Sequence, residues 1–185
     1  GTTLSQEEML NQGSMSDRYN PSPENISKVM EEMRDYAQER NIEDKLEVEK
    51  NKRGLVIRLT GQILYDLGKA VIKPEGKKVL GRIAKNINDM PNNIKVEGHT
   101  DNLPIDNAKY PSNWELSTTR AINVIKFFIE EYNINPERLS AAGYSKFQPL
   151  KKNTGPQARA KNRRVEIVIL NSKASENNDS EEVNV

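Results

Sequence analysis

Apolar residues recur along this chain with two periods, and the switches between them mark its elements. Ile26, Val29, Met30, Met33, Tyr36 and Ala37 fall at helical spacing. They predict an amphipathic helix over 22–40, with Ser22 as N-cap, Pro23 in the first turn and Glu24 against the helix dipole. Its other face mixes acids and bases, whereas a helix lying on a membrane favours Lys and Arg there, so the stripe reads as a packing face. Leu46–Lys50 alternates apolar and polar, Asn51–Gly54 can turn, and Leu55–Thr60 resumes the alternation, which predicts a hairpin with Leu55, Ile57 and Leu59 on one face. After a loop over 61–73, Pro74 and Glu75 open a second helix with the stripe Val79, Leu80, Ile83, Ala84 and Ile87, and Pro91 lies just past its end. Asn93–Gly98 reads as a short strand, Asn113–Tyr132 as the strongest helix and Leu139–Tyr144 as a strand. A polar loop leads to the last strand, Arg164–Leu170.

Strands alternating with helices predict a two-layer α/β (α+β) fold, helices on one sheet face, over residues 45–171. The helical segment 22–44 is attached in front. Residues 1–21 read as a flexible lead-in with room for a short helix at Ser5–Asn11, and 172–185 as a disordered, acidic tail.

Composition changes this picture by exclusion. The 28 basic and 27 acidic residues leave a net charge of +1, which argues against a nucleic-acid partner. There is no cysteine, which excludes disulfides and thiol catalysis. No apolar run approaches the ~20 residues that span a bilayer, and the start has neither the basic nor the apolar region of a signal peptide. The chain as given is expected to be soluble. Its first residue is Gly, which leaves room for a longer parent protein.

Two charged residues stand out as candidate chemistry. Asp101 follows the strand 93–98 at the mouth of a loop, and Arg120 lies inside the helix 113–132. If strand end and helix meet, acid and base can grip a ligand carrying both an ammonium and a carboxylate. Arg suits the second role because its guanidinium holds a carboxylate by two parallel hydrogen bonds. The spacing serves equally for a plain Asp101–Arg120 ion pair, since opposite charges near 4 Å attract by about 4 kcal/mol at an effective dielectric of 20. His99 is the only histidine, and a zinc site normally takes several His or Cys ligands, so it reads as a hydrogen-bonded structural residue. Lys161, Arg163 and Arg164 form a basic patch that is either a solvated strand edge or an anion contact. Gly68-Lys69 lacks the spacing and the Ser/Thr of a phosphate loop. Trp114 reads as a core anchor rather than a sugar-stacking platform.

The ordered set GHTD (Gly98–Asp101), LSTTRA (Leu116–Ala121), RLSAAGYS (Arg138–Ser145), Gln148-Pro149 and NRRVEI (Asn162–Ile167) resembles the OmpA-like peptidoglycan-binding domain over about residues 54–170. The resemblance implies a mixed four-stranded sheet with helices on one face, to which the first helix and a hairpin strand are added. It also implies that Asp101 takes the ammonium of diaminopimelate in a wall peptide and Arg120 its carboxylate. Thr100, Asn113, Asn162 and Arg163 would line the same site. Leu103-Pro104 and the long insert before LSTTRA are similar to the MotB-type stator proteins of the flagellar motor. That likeness implies a homodimer and a MotA-type subunit as partners, held through a transmembrane helix absent from this chain, on the extracytoplasmic side. No cofactor or metal is implied. A wall tether of the Pal or OmpA type is the competing expectation. An enzyme acting on wall peptides would need HExxH, a Cys/His pair or GxSxG, and none is present.

Overall fold

The computed structural model describes residues 23–171. The expectations for the lead-in, its short helix, the Ser22 cap and the tail lie outside these residues. Helix α1 (Pro23–Glu39) leads to strands β1 (Leu46–Asn51) and β2 (Gly54–Thr60), then to a single turn α2 (Gly61–Leu64) and helix α3 (Pro74–Asn88). Strand β3 (Ile94–His99), helix α4 (Asn113–Tyr132), strand β4 (Leu139–Gly143), short helix α5 (Pro156–Asn162) and strand β5 (Arg164–Leu170) follow. The helices α2 and α5 occupy segments the sequence presents as loops. Four residues cannot display a period, and α5 (PQARAKN) is polar on nearly every side and is started by Pro156 at its N-terminus.

The strands form one sheet in the order β1-β2-β5-β3-β4. β3 and β4 are parallel, joined by the crossover through α4, and the other neighbours are antiparallel. The expected mixed sheet is therefore β2-β5-β3-β4, with β1 added at the edge by the hairpin.

Period-two alternation gives the sheet two different faces. On one, Leu55, Ile57 and Leu59 meet Ile94, Val96, Val165, Ile167 and Ile169 beneath α1, α3 and α4, and all eight are fully buried. Helix α1 joins this core through Ile26, Val29, Met33 and Ala37, packing on β1 and α3. The opposite face is ionic. Register sets Arg58, Glu166 and Glu97 side by side across β2, β5 and β3. The like charges Glu166 and Glu97 are bridged by Arg53, which reaches back from the hairpin turn to both. Arg58 and Arg164 complete the ion pairs of Glu166, and Lys95 those of Glu97.

Helix α4 lies close against β3 and β4 because two glycines let it. Gly98 and Gly143 are register partners on the parallel strands. A side chain at Gly98 would strike the Ser117 carbonyl, and one at Gly143 would strike Thr118. Ser112 caps α4 by accepting from the Trp114 N–H, and Asn133, in the left-handed region at φ 52°, ends it by donating to Ile129 and Phe128. The helix that carries Arg120 is thus fixed in height and at both ends.

Candidate functional site

The end of β3, the middle of α4 and the start of β5 converge on one corner of the sheet. Asp101 emerges just past β3, and its loop is tied down by two bonds. Thr100 N–H donates to the Ser145 carbonyl at 2.9 Å, and the Asp101 Oδ1 accepts from the Leu103 N–H at 3.0 Å. Its other oxygen, Oδ2, accepts from Arg163 Nη1 at 2.5 Å. The acid therefore pairs with Arg163, not with Arg120, which removes the simple Asp101–Arg120 ion pair that the spacing also allowed. Thr100 is buried, and its hydroxyl donates to the Asp101 carbonyl.

Arg120 is only 3% exposed yet has no carboxylate partner among the described residues. Its guanidinium lies 4.8 Å from the centroid of the Tyr65 ring, a cation–π contact. Nε donates to the Lys69 carbonyl at 2.8 Å, and Nη2 makes a long contact of 3.5 Å to the Asp66 carbonyl. Burial pushes this guanidinium below its ordinary range, partly offset by Tyr65, Tyr110 and Asp101. A buried cation held only by carbonyls and a ring retains most of its capacity to bind an anion. Arg120 and Arg163 both line a cavity of about 260 Å³ whose far wall is Gly61, Gln62, Tyr65, Asp66 and Leu67.

That wall was not legible in the sequence. Tyr65 donates its hydroxyl to the Arg120 carbonyl. Asp66–Lys69 is a tight turn, closed from the Lys69 N–H to the Asp66 carbonyl, with Gly68 at φ +68°. The long insert then packs on this loop, where Tyr110 and Leu116 bury Ala70 and Asn123 donates to the Ala70 carbonyl. A Gly two residues after an Asp, just past an aromatic, was the available signal for the turn.

The two asparagines have different standing. Asn113 donates to the Leu103 carbonyl at 2.9 Å and is nearly buried. Asn162 is fully buried, accepting from Leu150 and Lys151 N–H and donating to the Lys151 carbonyl and Asn153. Its amide is saturated, so it holds the 150–153 loop in place and has nothing left for a ligand. The basic patch divides likewise. Arg163 enters the site, Lys161 pairs with Glu47, and Arg164 is buried in the ionic face.

Two further expectations are corrected. His99 is buried, but neither ring nitrogen has a hydrogen-bond partner among the described residues. It stacks instead on Tyr144, at 5.1 Å between centroids. Burial and the nearby Arg164 push its imidazole down to about 4. With Glu97 and Glu166 it forms a group of donors close enough to hold a metal ion. Both carboxylates are already engaged by Arg or Lys, an arrangement that repels a divalent cation. Trp114, read as a core anchor, is 48% exposed. Ser117 sits over Gly98 near the end of β3, so the preceding helical turn overhangs the strand and Trp114 meets Phe147 rather than the core.

No helix among the described residues is long and apolar enough to cross a membrane. A model of the OmpA family matches residues 64–163. Motility protein B of Bacillus subtilis (strain 168) is 35% identical over 161 residues, which cover 84% of this chain and 60% of that protein. Among solved structures, a MotB-like protein from Desulfovibrio vulgaris superposes with a TM-score of 0.71 at 30% identity, covering 80% of this chain and 93% of that one. The cell wall anchor of the T6SS from Pseudomonas aeruginosa gives 0.68 at 30% identity, covering 76% and 97%.

Proposed function

The chain belongs to the OmpA family, and from that premise we propose that it binds peptidoglycan without catalysis and anchors a MotB-type stator of the flagellar motor to the cell wall. The observation that carries the reading is Arg120, a buried guanidinium lacking a carboxylate partner among the described residues, beside an acid that a second arginine holds in place. The free carboxylate of a diaminopimelate-type side chain enters the cavity and docks on Arg120. Its ammonium replaces Arg163 on Asp101, and the released Arg163 adds to the positive wall facing the carboxylate. Exchange of one cation for another on Asp101 avoids leaving a buried carboxylate unpaired at any point. Thr100, Asn113 and Asn162 act by holding the loops that shape the site.

A stator must stay still while it exerts torque, and the wall supplies the fixed point. The molecule works as a homodimer on the extracytoplasmic side, beside a MotA-type subunit. Two weak sites on one polymer raise retention through effective concentration. The likeness to the type VI cell wall anchor favours one alternative, a wall tether unrelated to motility. Swimming of cells in which the gene is deleted separates the two.

The test is co-sedimentation with isolated wall sacculi. Asp101→Asn and Arg120→Ala are each expected to weaken binding about ten- to a hundredfold, the worth of a charge-assisted hydrogen bond or two. Circular dichroism should remain native. Undiminished sedimentation of both variants overturns the reading.

A further inference from the structure

The start of α4 carries an exposed aromatic stack that the clamp does not use. Trp114 and Phe147 stack at 5.4 Å between centroids with 27° between planes, and they are 48% and 62% exposed. Since Phe147 covers one face of the indole, much of the exposure of Trp114 lies on its other face and edges. Lys146 sits 5.7 Å from the Phe147 ring and backs the stack electrostatically. Leu103 and Leu150 are also exposed.

This ledge is built rigidly from the same parts as the clamp. The Leu103 N–H donates to Asp101 and its carbonyl accepts from Asn113, the residue before Trp114. Ser145, in the left-handed region at φ 52°, turns the chain toward Phe147, and its N–H donates to Ser117 of α4 while its carbonyl accepts from Thr100. Asn162 fixes the Leu150 backbone. Helix start and loop are therefore locked together.

We infer that the outer face of Trp114, backed by Phe147, is a sugar subsite that takes a pyranose ring of the glycan strand while the clamp holds the attached peptide. The inference rests on the proposed wall-binding function. The chemistry suits a sugar. An aromatic face is negative and attracts the polarised C–H groups of a pyranose, and Leu103 offers an apolar rest for an N-acetyl methyl. The Glu115 carboxylate, already bonded to the Ser112 hydroxyl at the helix start, can accept from sugar hydroxyls. In the wall polymer the stem peptide is joined to a sugar, so a protein gripping the peptide end-on has a ring within reach. Two stacked aromatics make a patch too small for a lasting protein interface.

Trp114 is the only tryptophan in the chain, so fluorescence excited selectively in tryptophan reads this site alone. The probe is the N-acetylglucosamine tetramer, which has no peptide. The full chain is expected to show a saturable change in emission that Phe147→Ala weakens three- to tenfold. On sacculi stripped of stem peptides by an amidase, Trp114→Ala should lose most of the remaining retention. An emission unaffected by the tetramer together with unchanged retention of Trp114→Ala overturns the subsite. So does a Trp114→Ala variant whose oligomeric state changes while its glycan retention does not, which would make the ledge a protein contact. Failure of the clamp shows separately, as wild-type-like binding of stem peptide by Asp101→Asn and Arg120→Ala.

Discussion

Glu166 and Ile167 are neighbours in β5, and they point to opposite sides of the same sheet. Ile167 is sealed under helices by apolar contacts with Ile57 and Val96. Glu166 is as well hidden from water, yet it is held by Arg53, Arg58 and Arg164. One face gains stability by removing apolar surface from water, at about 25 cal/mol per Å². The other gains little net from its ion pairs but penalises any unpaired charge heavily. The apolar face therefore tolerates small errors better than the buried members of the ionic face do. The clamp grows from the less tolerant side, because His99, Thr100 and Asp101 run directly from the ionic face into the site.

Breaking one member of each face should expose that asymmetry. Glu166→Ala leaves Arg164, itself 4% exposed, without its carboxylate, and is expected to cost about 3–5 kcal/mol in urea unfolding. Acid should act on the same face with a slightly smaller effect. The His99 imidazole falls from an ordinary 6.5 to about 4 on folding, so between those values the unfolded chain takes up a proton that the folded chain refuses. Its contribution is complete above about 6.5 and is lost as pH falls through 4, up to about 3 kcal/mol. Burial raises the Glu97 and Glu166 carboxyls, but hydrogen bonds from Arg53 and Lys95 on one and Arg164 on the other hold both below their usual range. Their stability is lost in the same direction, at lower pH. His99→Phe should flatten the pH 4–6.5 part of the profile and leave the steeper fall below it. The smallest effect belongs to Ile167→Val, about 0.5–1.5 kcal/mol, with no change in the pH profile. A pH-dependent penalty there would mean that the two faces are not independent.

The apolar face was the part of the molecule that the sequence made legible. Its stripes Ile26 to Ala37 and Val79 to Ile87, and the alternation in β2, announce themselves because burial repeats with the period of the backbone. Helix α4 and strand β5 run over the predicted residues for that reason. The ionic face has no such signature, since Glu97, Arg58 and Arg164 look like the solvated residues of any exposed strand. The candidate site was half legible. Asp101, Arg120 and Arg163 were identifiable from motif order, and the structure brings all three to one corner. Which arginine pairs with the acid depends on β5 lying beside β3 rather than on spacing along the chain. The backing of Arg120 by Tyr65 and the 66–69 turn depends on contacts between residues some fifty positions apart. Trp114 misled because it shares the inward stripe of α4 with Ser117 and Ala121, and periodicity does not reveal where the sheet beneath runs out.

The furrow made by Gly98 and Gly143 bears on how the molecule assembles. Half of it belongs to β3 and half to β4, so it exists only where those two parallel strands are paired, and α4 is the crossover that joins them. The seat of the helix is therefore made by the pairing of the two strands. Arg120 rides on the helix, and Asp101 leaves the strand that supplies half the groove. The two proposed jaws therefore share one piece of packing, and loosening the furrow should unseat both together.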